Sequence, residues 1–114
     1  MNQDCIFCTI ISGGIPAERV LENEEFLAIP DINPKAPVHL LVLPKEHVSS
    51  LEEASGWPPG RAARLLDFVS SAAAAAGLSE SGYRVVANNG PDAGQEIDHL
   101  HLHILGGKYL GDVV

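Results

Sequence analysis

Positive charge is scarce in this sequence: seven lysines and arginines stand against fifteen aspartates and glutamates, a formal net charge of -8. Coating a nucleic acid takes a basic surface, so the balance excludes that class of partner. It leaves room for a small anionic ligand held at a local site. Long apolar runs are missing as well. Nothing approaches the roughly 18 residues of a membrane span, so no membrane partner is expected. Met1-Asn2-Gln3-Asp4 has none of the basic residues that open a secretory signal, and the expected location is the cytoplasm. Cysteine is confined to Cys5 and Cys8. In a cytoplasmic chain, Cys-x-x-Cys spacing reads as a metal-binding or redox pair rather than a structural disulfide.

What is present suits one globular unit. A chain of 114 residues can bury its own core, and 46% hydrophobic with 19% charged residues is an ordinary balance. The whole chain, 1–114, is expected to be one domain. Ile6, Phe7, Ile10 and Ile11 recur at roughly helical spacing, which predicts a short helix over Cys5 to Ile11, ended by Gly13-Gly14. Arg19 to Glu22 and Phe26 to Ile29 read as strands around a turn at Glu22-Asn23-Glu24. Pro34 and Pro37 force a loop after Asp31. Val38 to Leu43 is the densest apolar run and reads as a central strand stopped by Pro44, with His39 inside it. Glu52 to Gly60 reads as turns. Arg61 to Ala76 is the one long helix, with Ala62, Leu65, Leu66, Val69 and Ala73 as its apolar stripe and Gly77 as its stop. Tyr83 to Ala87 and His99 to Leu105 complete the strands, and the last residues read as an exposed tail. The order predicts an α+β fold with a mostly antiparallel sheet.

The densest chemistry lies in His99-Leu100-His101-Leu102-His103-Ile104-Leu105. Three of the five histidines alternate here with apolar residues. On a strand they share one face, roughly 7 Å from one to the next, with the leucines on the other. A strand whose outer face is histidine by chance is the plain alternative. Imidazoles in a row suit either a metal, bound through neutral ring nitrogen, or nucleophilic and acid–base chemistry near neutral pH. Cys5, Cys8, His47 and one histidine of the row would complete a Cys2His2 zinc set, while a redox or inert cysteine pair remains open. The loop Asn88 to Gln95 can aim backbone N–H groups at an anion, or be only a turn. Asp31 is either a turn former or an acceptor for sugar hydroxyls.

Together these residues resemble the histidine triad (HIT) family, in its bacterial Hint-like branch. The carriers are the His-x-His-x-His run, Cys5-Ile6-Phe7-Cys8, Ile15-Pro16-Ala17, Asp31-Ile32-Asn33-Pro34, Ala36-Pro37-Val38-His39, Pro44-Lys45-Glu46-His47 and Gly94-Gln95, spread over about residues 5–107. The resemblance implies a five-stranded antiparallel sheet with one long helix and a short N-terminal helix, paired into a homodimer. It implies a purine nucleotide ligand of the AMP or GMP kind and cleavage of a bond at the α-phosphorus, as in nucleoside 5′-phosphoramidates. By motif position, His101 would be the nucleophile that forms a nucleotidyl-histidine. His103 would donate to a phosphate oxygen, and His39 would support the pair. His99 would join Cys5, Cys8 and His47 around a structural zinc. Asp31 would hold the ribose, and Ile6, Phe7, Ile10 and Ile29 would line the base pocket. Asn88, Gly94 and Gln95 would lie near the phosphate.

Two features depart from the family pattern. Glu96 stands where the best-known phosphoramidate hydrolases carry a serine, and a carboxylate near a phosphate repels it. The tail Lys108 to Val114 has none of the aromatic-proline character that some relatives place near the partner's site. Two other functions therefore stand beside hydrolysis. One is a nucleotide-binding or interaction module with little turnover. The other is metal-dependent catalysis by His99, His101 and His103 as a facial triad.

Overall fold

Alternation along two neighbouring strands divides the molecule into two faces. The computed structural model describes residues 5–114, so the targeting reading of Met1 to Asp4 lies outside them. The elements are α1 (Ile6–Ile11), β1 (Leu21–Glu22), β2 (Phe26–Pro30), β3 (Val38–Pro44), α2 (Leu51–Ala54), α3 (Arg61–Ala75), β4 (Tyr83–Val86) and β5 (Leu102–Gly106), with a 3-10 turn at Pro91–Ala93. The strands form one five-stranded sheet in the order β1-β2-β3-β5-β4. Each neighbouring pair is antiparallel. Among the described residues no helix is long and apolar enough to cross a membrane.

One face of the sheet carries Phe26, Ala28, Leu40, Val42, Leu102 and Ile104, which pack with Phe68, Val69, Ala72 and Ala73 of α3 and with Leu78. Burying each of the valine, leucine, isoleucine and phenylalanine side chains contributes about 1.5–3 kcal/mol. The other face carries Leu27, Ile29, Leu41 and Leu43, covered by Cys5, Phe7, Cys8 and Ile10 of the α1 segment. His39 of β3 and His103 of β5 belong to this second face by register: His39 lies opposite Leu105, and His103 opposite Leu41. They are diagonal neighbours, close enough for ring contact.

The helix stripe differs from the expected one. Phe68, Val69, Ala72 and Ala73 are buried, whereas Ala62 is exposed and Leu66 is 70% exposed. Leu65, Phe68, Val69, Ala72 and Ala76 follow i, i+3 and i+4 steps on one face, and Leu66 lies about 100° away from Leu65. The turn-rich stretch contains a helix, Leu51–Ala54, capped by the Ser50 side chain, which accepts from Glu53 N. One turn is too short to display a period. The tail is exposed at Tyr109, Val113 and Val114 but tethered at Gly111, whose carbonyl accepts from Arg84.

The fifth strand begins three residues later than the alternation suggests, at Leu102. Leu100 N donates to Val48 O at 2.7 Å, so this stretch bonds to the segment after β3 instead of continuing the sheet ladder. His99 and His101 therefore precede the strand.

Candidate active site

The three alternating imidazoles do not form an equivalent row. They divide between two clusters, and hydrogen-bond partners of fixed role identify the proton-bearing nitrogen of each ring.

The first cluster forms where α1 meets the segment after β3. Cys5 caps α1, its sulfur accepting from Cys8 N at 3.3 Å. Cys8 lies one turn on, which brings both sulfurs to the same end of the helix. The His99 ring is fully buried, and its Nε2–H donates to Pro44 O at 2.8 Å. Its Nδ1 lone pair consequently faces Cys5 Sγ at 3.2 Å and Cys8 Sγ at 3.6 Å. His47 brings its own Nδ1 to 3.2 Å from Cys8 Sγ. Burial is the main cause that holds His99 below the ordinary imidazole value, which favours the neutral ring that a metal requires. The four donor atoms lie within 4.8 Å of one another and form a potential metal-binding group.

The second cluster lies on the sheet face itself. His101 Nδ1–H donates to the His99 carbonyl at 2.8 Å, so Nε2 retains its lone pair. Lys35 N–H donates to His39 Nδ1 at 2.9 Å, which places the His39 proton on Nε2. That Nε2–H faces His103 Nδ1 at 2.9 Å. His103 accepts there and carries its own proton on Nε2. Burial, first among the causes, lowers the pKa of both His39 and His103, as this neutral relay demands. The rings of His101 and His103 are 5.2 Å apart, and the Phe7 ring packs against His101 at 5.1 Å. One nucleophilic lone pair and one N–H donor thus stand side by side.

Asp31 accompanies this cluster. Its Oδ1 accepts from Asn33 N at 2.8 Å, and its Oδ2 lies 3.3 Å from His39 Nε2 and 4.0 Å from His103 Nδ1. Asp31, His39 and His103 also satisfy the distance criterion for a metal. Their protons oppose one: with Lys35 N–H on Nδ1, the His39 nitrogen facing the cluster is a donor. His99, His101 and His103 are not gathered as a facial triad here: the His99 lone pair faces the cysteines, while the His101 and His103 rings lie together in the second cluster.

Other expected ligand contacts fall in different settings. Phe7, Ile10 and Ile29 are buried in the core under α1, while Ile6 is 45% exposed. Ile32, next to Asp31, is 90% exposed, an apolar side chain beside the carboxylate that sequence reading passed over. Its signal was its place between Asp31 and the loop prolines. The Asn- and Gly-rich loop turns its amides inward. Ala93 N and Gln95 N donate to Gly90 O, and Gly94 N donates to Pro91 O. Gln95 braces the loop: Oε1 accepts from Gly90 N at 2.8 Å, and Nε2 donates to Ser49 O at 2.8 Å and Ile97 O at 3.1 Å. Asn88 is half-buried just beyond β4, and Glu96 is exposed.

With this geometry in view, comparison with known proteins is consistent throughout. Residues 12–110 match the HIT domain model. A HIT-like protein of Synechococcus elongatus is 46% identical over 110 residues, 96% of each chain. The crystal structure of a HIT family hydrolase from Legionella pneumophila superposes with a TM-score of 0.88 at 42% identity, over 95% of this chain and 96% of that one. A histidine triad nucleotide-binding protein from Candida albicans gives 0.79 at 31% identity, over 97% of this chain and 86% of that one. The relay on β3 and β5, the His99-Leu100-His101-Leu102-His103 run that supplies it and the family match agree: the chain belongs to the HIT family.

Proposed function

We propose that the protein hydrolyses purine nucleoside 5′-phosphoramidates or related nucleotides at the α-phosphorus, through a covalent intermediate on His101. The observation that carries this reading is the proton arrangement of the second cluster. The His99 carbonyl holds the His101 proton on Nδ1, so Nε2 is the attacking atom. Attack forms a P–Nε2 bond and breaks the bond to the amine, which takes a proton from solvent as it leaves, a proton that the later hydrolysing water returns. The positive charge that develops on the ring is stabilised by the same carbonyl. His103 Nε2–H is the donor for charge on a phosphate oxygen. His39 is a positioning residue, since it acts through His103. Water then cleaves the P–Nε2 bond, which returns His101 and releases the nucleotide.

Asp31 is assigned to the ribose hydroxyls, and the exposed Ile6 and Ile32 to the base, with Phe7, Ile10 and Ile29 as its floor. Asn88, Gly94 and Gln95 border the phosphate end, and Gln95 holds the loop shape. The exposed Glu96 is free to turn toward solvent, which relieves its repulsion of a phosphate.

Zinc suits the first cluster. Tetrahedral Cys2His2 ligation places neighbouring S and N donors about 3.6 Å apart. The sulfur–nitrogen distances here are 3.2, 3.2 and 3.6 Å. Cys5, Cys8, His47 and His99 would hold the ion, which supplies a structural cross-link between α1 and the segment that precedes β5. Ligating thiolates also fit a reducing, cytoplasmic setting. The homodimer is supported by the free edge of β4, where Tyr83 and Val85 are 37% and 44% exposed, and by the outward Leu66 of α3.

Quenching a reaction with adenosine 5′-phosphoramidate during turnover should trap a nucleotidyl group on His101, located by mass analysis of the peptide. Tight AMP binding with neither adduct nor turnover would replace hydrolysis by the binding-module reading.

A further inference from the structure

We propose that the Cys5–Cys8–His47–His99 site is a positioning element for the nucleophile, so that its occupancy sets the rate of the chemical step far more than it sets nucleotide affinity. The proposal rests on the assignment of His101 as nucleophile. The two clusters share one residue. The His99 ring belongs to the metal-binding group, and the His99 carbonyl is the acceptor that fixes the His101 ring. The sheet does not hold this stretch, because β5 starts only at Leu102. Its anchors are the Leu100 N to Val48 O bond and the His99 ring itself, pinned by Pro44 O and the two sulfurs.

Phe7 makes a second link. It lies between Cys5 and Cys8 in sequence, and its ring contacts His99 at 5.7 Å and His101 at 5.1 Å, edge-on to both. A cation bound by both cysteines therefore fixes the first turn of α1, which carries Phe7, as well as the backbone that carries the carbonyl. Without one, the contacts between the sulfurs and the Nδ1 atoms of His99 and His47 are weak sulfur hydrogen bonds. The His99 plane can then tilt and release the His101 Nδ1–H, and the ring can adopt the other tautomer, whose Nε2 carries a proton and cannot attack.

The test combines imidazole nitrogen NMR with steady-state kinetics on the full chain. In zinc-loaded protein, His101 should show the single Nδ1–H tautomer. Chelation, or Cys8→Ser, should yield mixed tautomers at His101 and lower kcat by roughly 10²-fold, the cost of misplacing a reacting group. KM and AMP affinity should change by less than about tenfold, the smaller share that falls to the α1 residues under the base, and zinc should restore both the tautomer and kcat to the chelated protein. Cys8→Asp, which keeps a ligand, should recover most of kcat. Should the depleted forms unfold, cadmium-loaded protein offers the same comparison with a larger ion: the His101 nitrogen shifts and kcat should move together relative to zinc. An unchanged His101 tautomer and unchanged kcat after metal loss in a folded protein, or identical zinc and cadmium forms, would overturn the coupling. If zinc-loaded protein forms no adduct at all, the assignment of His101 fails, while the tautomer comparison still decides whether the sites communicate.

Discussion

Two histidine clusters adjoin, one on the sheet face and one where α1 meets the segment after β3, yet their protons are arranged in opposite senses. Around Cys5 and Cys8, the His99 proton is turned outward to Pro44 O, and the Nδ1 atoms of His99 and His47 converge with the sulfurs. Around His39, each ring accepts on Nδ1 and donates from Nε2, so a proton is presented at the end of the relay. Converging lone pairs suit a cation. A lone pair beside an N–H suits an anion under nucleophilic attack. Imidazole alone does not say which site a histidine serves; the backbone groups of Lys35, Pro44 and His99 do.

The sharpest way to separate them is His101→Ala. It should reduce turnover of an adenosine phosphoramidate by on the order of 10⁴-fold or more, as loss of a nucleophile does. AMP affinity and zinc content should remain near wild type, since His101 holds neither. The next effect belongs to the relay. His103→Ala should lower kcat by about 10²–10³-fold, the scale for removing one charge-stabilising donor. His39→Ala should do less, and the double variant should be no worse than His103→Ala, because His39 acts through His103. Additive losses in kcat would assign His39 an independent role.

On the metal side, Cys5→Ala should lower stability rather than chemistry alone. Buried ligands lose their common partner, and structural zinc sites supply folding free energy directly. The expected loss is roughly several kcal/mol, read as a lower melting temperature that no longer responds to added zinc.

Much of this was legible before any coordinates. The dense run at Val38, the alanine-rich helix and the paired motifs required the antiparallel sheet and its long helix. The motifs also named every member of both clusters. The division between them came only from the family resemblance, because strict alternation by itself implies one strand with one histidine face. The bond from Leu100 N to Val48 O, a tertiary contact without sequence signature, ends the ladder early and rotates His99 into the cysteines. Gln95 was similarly opaque. A glutamine after glycine suggests a ligand contact, whereas its amide is engaged by Gly90, Ser49 and Ile97. Burial partners of α3 shifted for a simpler reason: Leu66 has the right chemistry on the wrong side of the helix.

The smallest effect sharpens the comparison through pH. Burial holds His39 and His103 below the ordinary imidazole value of about 6.5. As pH falls below that value, the unfolded chain takes up protons at these positions while the folded protein does not. The unfolded state then binds more protons, so stability rises with pH across this window. Their contribution is fully present above about 6.5 and is lost as pH falls through the lower folded values. His39→Gln combined with His103→Gln removes both groups without adding charge. The stability gap between wild type and this variant, measured by urea unfolding in zinc-saturated protein, should therefore narrow from pH 7.5 to pH 5. Zinc is present on both sides of the subtraction, so acid release at Cys5, Cys8, His47 and His99 cancels to first order. A gap that stays constant across that range would mean the relay is protonated in the folded state, and the neutral His39-to-His103 hydrogen bond would then be wrong.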